Sequence, residues 1–429
     1  MLFPKPLALF LALTIGTVSA GAQQATQKVA GTRDESGAAG AARLEELRAS
    51  GFEALYNLDY DGARKNFKEI ARLFPDHPAG PQFLAATLWA QTLNQARRMQ
   101  AAIYSSESFY QQKEDKPDPR VVEEFRSLTR AAVTLARARL RRDPKDIEAL
   151  YFLGATEGLK AAFATSVQRS FMSALSDGSS SVDRHREVLK LDPAFHDAEL
   201  TIGLYDYVVG SLPGPVKLLA TVVGTRGSRK RGLATLQRVA SEGHWAKDDA
   251  RALLIVLFKR EHRYADALGL ARELGEKYPS NYLFRLEAAD ALVSIAAEAR
   301  QAGRADEAKK AEAEATAVFD ALLRERAAAR ALDLVHFRYG EALVGVGRPE
   351  VAAKEFLAAA SAAGAEPGLA TAAHLSAARA FDLAGRRDEA VAQYRIVLTR
   401  PDASNAHDQA RQGLKEPYKL KNNGKSVSE

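Results

Sequence analysis

Cysteine is missing from all 429 residues. Its absence excludes disulfides, thiolate metal sites, a cysteine nucleophile and a lipid anchor on cysteine. Histidine is sparse. The eight copies are His77, His185, His196, His244, His262, His336, His374 and His407, and no two stand three or four residues apart. A zinc site would therefore need distant histidines and carboxylates to converge, and neither metal nor cofactor is expected. No Gly-x-Ser-x-Gly elbow occurs, since the serine of "GSLPG" at 210–214 follows its glycine directly. Without a strained turn and an activating base, a serine hydroxyl is a weak nucleophile. No enzyme is expected. A large excess of one charge is missing too. The net charge is +6, falling to +5 if Lys5 is removed with the N-terminal segment. That balance does not predict nucleic-acid binding. Runs of β-branched residues are scarce and aromatics amount to 8%, whereas alanine and leucine abound. That mix favours helix, because alanine and unbranched side chains lose little entropy there.

Long apolar runs are almost absent. The one that stands out is Leu7–Val18, preceded by Lys5 and followed by Val18-Ser19-Ala20 and Ala20-Gly21-Ala22. This is the form of a secretory signal peptide over 1–22, shorter than the roughly 20 residues a spanning helix needs. Export is expected, and a chain without cysteine suits a bacterial periplasm, where free thiols oxidise. The run at 204–224 comes next, but Asp206, Pro213, Pro215 and Lys217 interrupt it. Residues 23–42 are small and polar without periodicity and read as a disordered leader. Residues 415–429 read as a flexible basic tail.

Between these ends a helical pattern repeats. Leu47, Gly51 and Ala54 share one helical face; Ala63, Phe67 and Ile70 share a second; Pro75 follows. Leu254, Ile255, Phe258, Tyr264, Ala267, Ala271, Leu274 and Pro279 repeat it. So do Tyr339, Gly340, Leu343, Gly347, Ala352, Phe356 and Ala359, and then Ala377, Ala378, Phe381, Gly385, Ala390, Tyr394 and Val397. Small residues let paired helices approach while large ones fill the gaps. Proline ends the second helix because it lacks an amide hydrogen and clashes with the preceding turn. Pro144 and Pro193 mark further stops, with an extension expected over 163–181. Residues 282–331 fit a divergent hairpin whose second helix carries Ala308, Ala311, Ala315, Phe319 and Leu322. The offsets resemble the tetratricopeptide repeat. That likeness implies an all-α solenoid of seven or eight stacked antiparallel hairpins over 43–414, without separate domains. In such repeats the first helix of each hairpin lines a concave groove. The residues expected to face it are Arg48 and Phe52 in the first hairpin, Phe337 and Glu341 in the penultimate one and Arg379 in the last. A protein or peptide partner is the expected ligand, with aromatics as anchors and charges for orientation.

One stretch departs from this pattern: "YDYVVGSLPGPVKLLATVVGTRGSRKRG", residues 205–232. It ends in a basic loop carrying Arg226, Arg229, Lys230 and Arg231. Three readings stand. The free amides of a helix starting at Gly232 offer an anion site, although the spacing is not that of a phosphate-binding loop. Val216, Leu218, Leu219, Val222 and Val223 offer an interfacial membrane foot with the arginines at headgroup level. As a modified hairpin over 205–240, the same residues pack between helices. Ser211, Leu212, Pro213, Pro215, Lys217, Leu218 and Leu219, then Gly227, Arg229, Gly232, Leu233 and Leu236, resemble the signature of the tetratricopeptide repeat protein 39 family, which includes the fungal inclusion-body clearance protein. Ser228 stands where that signature has an aspartate. The likeness spans 190–285. It implies a helical adaptor without catalysis, not a cellular role, because the relatives work inside the cell and this chain is expected to be exported.

Overall fold

The computed structural model describes residues 35–100, 117–211 and 227–420. Within them lie seventeen α-helices, two short 3₁₀ turns and no strand. The helices run as eight antiparallel hairpins. The first five are α1 (Glu35–Tyr56) with α2 (Tyr60–Leu73), α3 (Ala79–Gln95) with α4 (Pro119–Arg142), α5 (Ile147–Ser166) with α6 (Phe171–Leu191), α7 (Glu199–Gly210) with α8 (Arg229–Glu242), and α9 (Lys247–Arg260) with α10 (Tyr264–Lys277). The last three are α11 (Tyr282–Gln301) with α12 (Ala305–Arg324), α13 (Leu332–Gly345) with α14 (Pro349–Ser361), and α15 (Pro367–Leu383) with α16 (Arg387–Leu398). A final helix, α17 (Ala406–Lys415), packs on α15 and α16. The all-α hairpin array expected from the repeat spacing is the fold.

Local chemistry explains the boundaries. The carboxylate of Asp59 accepts the N–H of Gly62 and starts α2. Asp118 and Asp146 start α4 and α5 in the same way, satisfying amides that the first helical turn leaves without a carbonyl. Helices α2, α4, α6 and α10 each end two residues before Pro75, Pro144, Pro193 or Pro279, since the residue before proline avoids helical backbone. Glycine makes the close approaches. A Cβ on Gly51 would lie 2.2 Å from the Phe67 ring, and one on Gly340 would lie 2.7 Å from the Phe356 ring.

The helices gather into two compact units, one ending at Asn281 and one starting at Tyr282. The single undivided array expected over 43–414 resolves into these two. The reason lies at the closing end of the first unit. There Asn281 donates its side-chain N–H to the Tyr56 carbonyl at 2.7 Å, and the Ser280 N–H reaches Asn57 at 3.2 Å. No local pattern announces such a tie.

Two further expectations change. The stretch read as a disordered leader is already helical from Glu35, because its alanines propagate α1 without an apolar periodicity of their own. The start of the tail is held, since the Tyr418 N–H donates to Asp382 at 2.8 Å. The expected extension over 163–181 is the C-terminal turn of α5 and the N-terminal half of α6. Residues 1–34, 212–226 and 421–429 lie outside the described residues, and with them the signal-peptide reading, the apolar segment after Pro213 and Arg226.

Candidate functional site

The first helices of the hairpins are covered to different degrees. In the first unit α5 is enclosed. Sixteen of the twenty residues of α5 are buried, from Ala149 to Ser166. A helix apolar on all sides has protein on all sides. At the closing end, α1 meets α9 and the end of α10. The Tyr56 ring stacks on Tyr278 with centroids 4.8 Å apart, and its hydroxyl donates to Asp249. The Arg48 guanidinium lies 3.5 Å from the centre of the Trp245 ring, and its Nε donates to Glu45 at 2.9 Å. Asp197 pins the backbone before α9 by accepting the N–H groups of Trp245 at 3.0 Å and Ala246 at 2.9 Å.

This junction holds unusual carboxyls. Asp249 is 0% exposed, and its Oδ2 has no hydrogen-bond partner. Burial pushes its pKa well above the ordinary value, and the neighbouring Asp248 and Asp197 add to the rise. Asp248 goes the other way. Its burial opposes ionisation, but hydrogen bonds from Lys277 and Tyr278, both at 2.6 Å, outweigh that and lower its pKa. One carboxyl is therefore pushed towards its neutral form beside another pushed towards its charged form. That pattern is also how acid–base sites are built. Here Tyr56 donates to Asp249 Oδ1, and Lys277 and Tyr278 donate to Asp248 Oδ2, which ties α1 to the end of its own unit.

Two of the groove residues expected from the sequence fall in this closed region. Arg48 is 8% exposed and Phe52 is 5% exposed. Phe52 packs against Phe67 and Phe83 at centroid distances of 5.0 and 4.8 Å. Neither side chain lines an open groove. Trp245, just before the distant α9, covers Arg48, and the neighbouring hairpin takes Phe52 into its core.

In the second unit only six of the fourteen residues of α13 are buried. Phe337 is half-buried against Phe356, at 5.5 Å between rings. Glu341 has a side chain 42% exposed and accepts from Arg338 at 2.6 Å. Arg338 also pairs with Asp290 of α11. Burial alone would weaken its charge, but Asp290, Glu341 and Glu287 raise its pKa further above the usual range. The sequence reading missed Arg338, although it sits between two residues that were singled out. Arg379 of α15 is half-buried. It donates to Gln409 at 2.7 Å and lies 4.8 Å from the Tyr418 ring, so it ties down α17 and the chain after it. Phe337 and Glu341 thus share one open helix face, while Arg379 belongs to the terminal cap.

The basic cluster has structural partners. Helix α8 starts at Arg229, three residues before the expected Gly232, and the Ser228 hydroxyl accepts the Arg231 N–H. Arg231 pairs with Asp206, with Nη2 2.8 Å from Oδ1. Arg229 lies 3.4 Å from Glu261. Lys230 is exposed. A Cβ on Gly232 would stand 2.5 Å from the Gly203 carbonyl and the Tyr207 nitrogen, so this glycine permits α7 and α8 to touch.

Among the described residues no group of three histidine or acidic side chains could hold a metal ion. Histidines have local roles. His185 is buried, with Nε2 3.2 Å from the Tyr151 carbonyl and Nδ1 against the Thr201 hydroxyl; burial lowers its pKa to about 4. No described helix is long and apolar enough to cross a membrane.

No family model matches the chain, and no curated protein matches it. Solved structures share its hairpin architecture loosely. A human IFIT1 dimer with m7Gppp-AAAA is 12% identical, with a TM-score of 0.45 over 85% of this chain and 80% of that one. Yeast Tom70 is 12% identical, with a TM-score of 0.35 over 87% of this chain and 95% of that one. TTC0263, a thermophilic TPR protein of Thermus thermophilus, is 15% identical, with a TM-score of 0.33 over 58% of this chain and 98% of that one. The hairpin geometry described above, with its glycine notches and proline stops, identifies the fold as an all-α array of the tetratricopeptide type.

Proposed function

We propose that this protein is a non-catalytic scaffold. It holds a protein or peptide partner on the inner face of its second unit, at Phe337, Arg338 and Glu341. The observation that carries the reading is the contrast between α5 and α13. Helix α5 of the first unit is enclosed by side chains, while α13 keeps Glu341 exposed beside an arginine fixed by Asp290. A fixed guanidinium and carboxylate orient a partner at small entropic cost, and a half-buried phenyl ring supplies contact area. The reading includes export, which rests on the Leu7–Val18 run and the small residues after it.

The test is site-specific photo-crosslinking in the host envelope. With the probe at residue 341, one discrete adduct is expected, and Phe337→Ala should remove it. With the probe at Glu69, on an outer helix, no such adduct is expected. Equal labelling from both positions would overturn the assignment of the face. Full-length protein found only in the cytoplasm would overturn export.

A further inference from the structure

Between α11, α12 and α13 the second unit has a half-open cavity of about 260 Å³. Its closed end is apolar. Phe319 and Tyr339 stack there with centroids 4.8 Å apart and planes 12° apart, and Leu343 lies beside them. The Tyr339 hydroxyl is bonded to Thr316 within the lining, and burial, with Asp320 and Glu355 nearby, keeps it protonated. The open end is basic. Lys309 and Arg348 line it, and both are exposed. Glu312, the one acidic residue of the lining, is ion-paired with Arg300. The two mouth cations have no carboxylate partner among the described residues. The cavity therefore joins an aromatic floor to two exposed cations.

We propose that this cavity is a binding site for a small apolar carboxylate, an aromatic or medium-chain acid. Its ring or chain lies along Phe319 and Tyr339, and its carboxylate lies between Lys309 and Arg348. Size supports this class. An apolar cavity of roughly 150 Å³ accepts benzene, so the volume here takes a ring with a short acidic arm. Charge supports it as well, because hydrogen bonds from a cation to a carboxylate are about twice as strong as neutral ones. The inference goes beyond the scaffold reading, since its lining residues do not include Phe337, Arg338 or Glu341.

The probes are hydrocinnamate and octanoate, each against its primary amide, titrated into the full chain and followed by saturation-transfer NMR and calorimetry. Both acids should bind, and each amide should bind about tenfold more weakly or worse, the loss of one charge-assisted contact. Changing Lys309→Gln and Arg348→Gln together should weaken acid binding by about tenfold or more. The melting temperature should hold, because both side chains are exposed. Ala313→Trp, at an exposed position on the mouth, should block acid and amide alike. The proposal is overturned if neither acid binds the unaltered chain. It is overturned equally if acid and amide bind alike, or if the double substitution leaves acid affinity unchanged.

Discussion

Helices α5 and α13 hold equivalent places in their hairpins and meet opposite surroundings. Helix α5 is enclosed almost all round, its polar Thr156, Thr165 and Ser166 bonding back to carbonyls one turn earlier. Helix α13 buries only the stripe that contacts its own hairpin and its neighbour. Hairpin turns show the same division. In the second unit the turn residue with positive φ is glycine: Gly303 at 73°, Gly347 at 77° and Gly385 at 75°. In the first unit, Leu58 at 63°, Arg97 at 55°, Arg169 at 54° and His262 at 57° carry that strain. One backbone plan is thus realised twice. The first unit encloses α5 and sets non-glycine residues at its hairpin turns; the second uses glycine at those turns, keeps positive φ at Ser404 and Asn405 before α17, and leaves α13 more open.

The comparison breaks first at the closure. Tyr56→Ala removes the stack on Tyr278 and leaves Asp249 without its donor. It should cost about 3 kcal/mol or more in urea unfolding, the usual range for truncating a large buried aromatic. Faster hydrogen exchange should be confined to the first unit. A loss under about 1 kcal/mol would mean that the closure contributes little.

The next contrast is between stability and binding. Arg48→Met should cost about 1 kcal/mol through the lost contact with Trp245, while partner crosslinking at residue 341 persists. Glu341→Gln should cut partner recovery by about tenfold and cost only about 1 kcal/mol of stability, because Arg338 keeps its pairing with Asp290. If Arg48→Met also abolishes crosslinking, the closed face is the functional one.

Titration probes the first unit more finely. The folded pKa of Asp249 lies above its unfolded value, so its favourable contribution is complete below the ordinary carboxylate range. That contribution is lost as pH rises towards the folded pKa. Asp249→Asn keeps an acceptor for Tyr56 without that loss, so its stability relative to the unaltered chain should grow from pH 4 to pH 8. The folded pKa of His185 is depressed to about 4, so stability should fall as pH drops from its ordinary value towards 4. His185→Gln should flatten that limb. Thermal melts across the range check both signs.

The smallest effects sit at the turns. Gly347→Ala should cost about 1 kcal/mol, because a side chain at positive φ meets the following carbonyl. His262→Gly should gain about half a kcal/mol, the relief of that strain less the lost contact with Tyr264 at 2.9 Å. Equal and opposite shifts would sharpen the comparison; no gain at residue 262 would show that the first unit has absorbed its strain.

Much of the fold was legible because its causes are local. The Gly51–Phe67 and Gly340–Phe356 notches and the stops at Pro75 and Pro279 act within one hairpin. The site was less legible. Phe337 and Glu341 were singled out by repeat position, whereas Arg338 pairs with Asp290, on another hairpin. The same positional rule placed Arg48 and Phe52 in a groove, where Trp245 and Phe83 cover them. A helical period says which side of a helix faces inward. It does not say whether anything comes to meet that side.

By itself, the sequence determined the helical hairpins and where many of their helices stop, because these follow from propensity and spacing within about forty residues. Only the tertiary structure decided that Tyr56 meets Asp249 across 193 residues of chain and that the array divides at Asn281. It alone placed Lys309 and Arg348 at the mouth of one aromatic cavity. Such contacts depend on the accumulated rotation of successive hairpins, a quantity that no single repeat encodes.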